Sequence, residues 1–125
     1  MPIEHTQAYK AFLRGSGSET AKLYYLLDRI KETPNLTYLF EGVRYPWFDA
    51  YAAGTWILWH HHKKGEEAHG FLHKELSAYP TAGSSAIIEL SDRSHHLAYP
   101  ILINELDLLE ETVKQGKMLQ YRRRD

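Results

Sequence analysis

Apolar residues recur along this chain at spacings of three and four, and glycines and prolines mark where each run stops. Within residues 3–14, Ala8, Tyr9, Phe12 and Leu13 share a helical face, and Gly15 follows where a helix would end. Ser16 and Glu19 have the spacing of a capping box, which starts a second helix running to about Glu32. Its stripe is Leu23, Leu26, Leu27 and Ile30, and Pro34 stops it. Residues 35–45 contain Thr37, Tyr38, Leu39 and Phe40, which favour extended backbone. No partner strand stands out, so the segment reads as an ordered loop or a short extended pairing. Pro46 suits the first position of a third helix, with Asp49 in its first turn. Ala50 and Gly54 lie four apart on it, where a neighbouring backbone could approach closely. Beyond Gly65, a fourth helix is predicted over 66–78, with Ala68, Leu72, Leu76 and Tyr79 on one face. Ala86 to Leu90 fits helix or strand. The last helix opens at Pro100, and Leu102, Leu106, Leu109 and Val113 repeat along it.

The pattern predicts an all-α fold, a compact bundle of five to six helices in a single domain spanning 1–125, with a basic frayed tail at 121–125. The alternative is α+β, with a short antiparallel sheet around residues 37–76. In that version residues 55–61 pair with 68–75 through Lys63, Lys64 and Gly65. The stripe of the last helix also offers a two-fold contact between copies, making a homo-oligomer the expected assembly.

Composition narrows the chemistry. The 125 residues include no cysteine, which excludes disulfides, thiolate zinc sites and cysteine nucleophiles and suits a cytoplasmic setting. A formal charge of −1 argues against bulk binding of nucleic acid. The start of the chain lacks the basic and apolar regions of a secretory signal. The longest apolar-rich run, 47–59, contains Asp49 and falls short of the ~20 residues a membrane span needs.

Residues 45–80 carry all three tryptophans and five of the eight histidines. Two constellations stand out there. Arg44, Trp47, Trp59, His60, His61, His62, Lys63 and Lys64 combine aromatic and basic residues, the types that dominate protein interfaces and grip anions such as nucleotides. Glu66, His69 and His73 fall at i, i+3 and i+7, one stripe of a helix, and could hold a divalent metal. Asp92, His95 and His96 are possible further ligands. Ser91, Asp92 and His95 are neighbours in sequence, which is not how catalytic triads are built, and no phosphate-loop, dinucleotide or nucleophile-elbow motif occurs. No catalytic residue is assigned. The expected function is a small non-enzymatic binding or accessory protein that holds a protein partner or a small anionic ligand and needs no cofactor. The alternative is a metal-dependent enzyme with a Glu/His site in a helical bundle.

Overall fold

A computed structural model describes residues 3–33, 35–40, 43–76 and 87–123. Among them, a 3-10 turn at Ile3–His5 leads into five α-helices: α1 (Gln7–Arg14), α2 (Glu19–Lys31), α3 (Trp47–His61), α4 (Ala68–Leu76) and α5 (Ala98–Arg123). Four short strands accompany them: β1 (Thr37–Phe40), β2 (Val43–Pro46), β3 (Ile87–Glu89) and β4 (His95–Leu97). They form one antiparallel sheet in the order β2-β1-β3-β4.

The fold is therefore mostly helical with a small sheet, closer to the α+β alternative than to the all-α bundle. The sheet is the expected one only in part: β1 and β2 fall within 37–76, but the pairing of 55–61 with 68–75 does not occur. Residues 55–61 and 68–75 are helical, within α3 and α4. The strands come from 37–40 and 43–46, which pair with each other, and from two segments after 86. Tyr38 is paired on both sides, with Tyr45 on β2 and Ile88 on β3.

Local chemistry explains the helix starts. Thr6, itself buried, caps α1 by accepting the Tyr9 N–H at 3.1 Å. Ser18, not Ser16, caps α2 by accepting the Ala21 N–H at 3.1 Å. This puts Glu19 in the first helical position and frees its carboxylate for contacts elsewhere. Pro46 sits at the N-cap of α3 with extended backbone, so β2 passes directly into the helix. At Gly54 the close neighbour is a side chain, not a backbone. A Cβ there would lie 2.7 Å from Leu27 Cδ2.

The core has two parts. The larger gathers Tyr9, Phe12, Tyr25, Leu58, Leu72 and Leu106, among others, from all five helices. The smaller packs Leu36, Ile88 and Ala98 beneath the sheet, with Trp47 partly buried against them. Leu106 and Leu109 are fully buried and Leu102 and Val113 pack beside them, so the stripe of α5 is used up inside the chain. α5 continues to Arg123, through part of the expected frayed tail. Tyr79, expected on the fourth helix, lies outside the described residues.

Candidate functional site

A helix that is apolar all round should be buried all round. The third helix is not. Of its 15 residues only Leu58 is buried, while Tyr51 and Ile57 pack partly against the core. The opposite face carries Phe48 (55 % exposed), Ala52, Trp56 (55 %) and Trp59 (71 %), spaced by four, four and three. Trp59 donates its indole N–H to the Tyr24 hydroxyl, which extends the aromatic surface onto α2. Trp56 stacks on the His60 ring, centroids 4.3 Å apart and planes at 20°, while His60 Nδ1 lies 2.8 Å from the Trp56 carbonyl. Lys63 and Lys64 lie exposed just past the C-terminal end of α3.

The residues grouped by the sequence divide here. Trp59, His60, Lys63 and Lys64 belong to this face or its end. His61 turns aside to Glu75, 3.2 Å from its Nδ1. His62 turns inward, 2.9 Å from the Glu66 carbonyl, 3.4 Å from the Thr20 hydroxyl and edge-on to Phe71. Successive helical residues point about 100° apart, so three consecutive histidines cannot converge on one anion. Arg44 lies on the sheet, where it pairs with Glu89 at 2.6 Å; His95 Nε2 approaches the same carboxylate at 2.7 Å. The His95 hydrogen bond, then the Arg44 charge, hold the Glu89 carboxyl below its usual range. Trp47 packs on the smaller core. Tyr24 was not among the expected site residues, and its place beside Trp59 is a contact between helices.

The expected metal set is also divided. The fourth helix starts at Ala68, so Glu66 precedes it instead of sharing its stripe. Glu66 accepts the Lys63 N–H at 3.1 Å and pairs with Lys74 at 3.1 Å; the first contact and then the second lower its carboxyl pKa. His73 meets the Tyr99 ring edge-on. Asp92 accepts from the Ser94 N–H and hydroxyl in the β3–β4 turn, and His96 lies 2.9 Å from that hydroxyl. His69 meets ligand-type groups, Asp107 at 2.7 Å and Glu110 at 3.5 Å on α5.

That trio joins a wider charged network. Lys22 lies 2.6 Å from both Glu19 and Glu110. Burial alone would lower the Lys22 pKa, but the hydrogen bonds to Glu110 and Glu19 outweigh it and leave it raised. The Lys22 hydrogen bond in turn lowers the Glu19 carboxyl. The other oxygen of Glu19 accepts the Ala68 N–H at 3.0 Å and so caps α4.

A cavity of about 130 Å³ lies among α2, α3, α4 and the sheet, lined by apolar side chains such as Leu27, Ile57, Leu72 and Ile88. No helix among the described residues is long and apolar enough to cross a membrane. Compared with known proteins, the chain matches no family model, no curated sequence and no solved structure.

Proposed function

We propose that this is a small non-enzymatic binding protein whose working surface is the outer face of α3. The observation that carries this reading is the row Phe48, Trp56 and Trp59, exposed on a helix with little polar cover. At the usual size of aromatic side chains, these three present roughly 400 Å² to solvent. Apolar patches of that order on a monomer commonly mark interaction sites. Tryptophan is also the side chain most enriched among interface hot spots.

Charge selects the occupant. His60, Lys63 and Lys64 border the C-terminal end of the face, and Asp49 is the only acidic residue within α3. The fitting partner is an amphipathic helix of another protein, apolar along one side and acidic beside it. A small anion is a poorer fit, because His61 is engaged by Glu75 and His62 is turned inward.

The test uses two synthetic amphipathic peptides with the same apolar row, one flanked by glutamates and one by lysines. Binding is followed by tryptophan emission, for which Trp56 and Trp59 are exposed reporters. The acidic peptide should bind about 10-fold or more tighter than the basic one, and the advantage should shrink as salt screens the charges. Equal affinity, or none for either, would remove this partner. A mass that doubles with concentration would assign the face to a second copy instead.

A further inference from the structure

We infer that His69, Asp107 and Glu110 form a binding site for a divalent first-row transition ion at the junction of α4 and α5. The inference is independent of the α3 face.

The donors converge. One ligand atom from each side chain lies within 4.8 Å of the others, with His69 Nε2 at 2.7 Å from Asp107 Oδ1 and 3.5 Å from Glu110 Oε1. Donors on one tetrahedral ion at about 2.0–2.2 Å lie roughly 3.4 Å apart, close to the His69–Glu110 separation, and the shorter His69–Asp107 hydrogen bond would open by less than about 1 Å to admit it. Asp107 and Glu110 are i and i+3 on one helix, so a single face of α5 offers both carboxylates. His69 lies in the first turn of α4, whose start is fixed by the Glu19 carboxylate on the Ala68 N–H.

The outer contacts orient the ligands. Lys22 holds Oε2 of Glu110 at 2.6 Å, which leaves Oε1 toward His69. Metal-binding carboxylates are commonly anchored in this way by a group behind them. Glu19 balances the charge of Lys22 from the other side. Across the network, three carboxylates face one ammonium, so two negative charges remain when the imidazole is neutral. A divalent ion compensates both. His69 and Asp107 remain accessible to solvent, so water can complete the coordination. A set of one imidazole and two carboxylates favours zinc, nickel, cobalt or manganese over magnesium and calcium, which prefer all-oxygen sites.

The test is calorimetric titration of untagged, chelator-treated protein with zinc chloride at pH 7.5, with melting curves measured alongside. The expected result is one saturable site per chain, a higher melting temperature with zinc, and no displacement by millimolar magnesium. Asp107→Asn nearly conserves shape at an exposed position, so it should keep the metal-free melting temperature while losing at least ~10-fold in affinity. His69→Ala should lose the site. The double variant His60→Ala/His61→Ala, and Glu66→Gln, should bind as wild type does. No saturable binding, or binding that survives Asp107→Asn and His69→Ala but fails in the His60/His61 variant, would overturn the assignment.

Discussion

Replacing Leu106 with alanine should cost about 2–5 kcal/mol of folding stability, the range for emptying a well-packed leucine site. Leu106 is fully buried, as is Leu109 one turn later. Around it, α5 joins α2 and α4 in one core, so the backbone cannot close the gap without moving three helices. A cavity would remain, and its lining would lose contacts on one side. Leu108 is the internal control. It is two residues away on the same helix and 48 % exposed, so Leu108→Ala should cost less than about 1 kcal/mol. Urea unfolding of both variants measures the difference. Similar losses would mean that α5 does not sit against the core in this orientation.

The second large effect concerns Tyr25, Arg29 and Glu105. The Tyr25 hydroxyl and Arg29 Nε both donate to Glu105 Oε1, at 2.7 and 2.8 Å. Tyr25 is among the most buried side chains, and its ring lies edge-on to Phe12. Glu105→Ala should cost about 2–3 kcal/mol, because it removes two charge-assisted bonds and leaves both donors without this acceptor. The ion pair is partly exposed, so solvent screening keeps the loss below that of a fully buried pair.

The same contact sets a pH dependence. Burial first, then the hydrogen bond to Glu105, push the Tyr25 hydroxyl pKa far up. A raised folded pKa contributes stability that is complete below the unfolded value, about 10, and is lost as pH rises beyond it. The unfolded chain releases that proton while the folded chain keeps it. Tyr25→Phe should therefore lose about 1–2 kcal/mol at neutral pH, yet show a shallower fall in stability between about pH 9.5 and 11. Some slope should remain, because burial also raises Tyr9 and Tyr38. An unchanged alkaline slope in Tyr25→Phe would show that this hydroxyl is not responsible.

The helices were readable from the sequence because each carries its own instruction. The four-three spacing of Leu102, Leu106, Leu109 and Val113 specifies a buried stripe whatever packs on it, and Gly15 marks a real end. The sheet was readable only in part, at Thr37 to Phe40, whose residue types favoured the extended backbone of β1. Its strands are three or four residues long, too short for alternation to be seen, and β1 finds its second partner far downstream on β3. Pro46, expected as the first residue of the third helix, is its N-cap and also ends β2, which hid the pairing of β2 with β1.

The site follows the same division. The wealth of tryptophan and histidine pointed to the right segment, but the fold distributes its members. Arg44 goes to the sheet, Trp47 and His62 pack inward, and Trp59 and His60 stay outside. For the metal ligands, a two-residue shift in the start of α4 removes Glu66 from the stripe. The spacing of Asp107 and Glu110 was visible as an acidic run. Their approach to His69 is a tertiary fact that no local pattern contains.

The most direct test of the binding face is the double variant Trp56→Ala/Trp59→Ala, titrated with the glutamate-flanked amphipathic peptide beside the wild type. Both side chains lie mostly in solvent, so the unfolding curve should change by no more than about 1 kcal/mol. Affinity for the peptide should fall at least ~30-fold, as expected when two central aromatic anchors are removed. Undiminished binding, or a loss of stability above about 2 kcal/mol, would contradict the account and make these tryptophans part of the fold rather than its working surface.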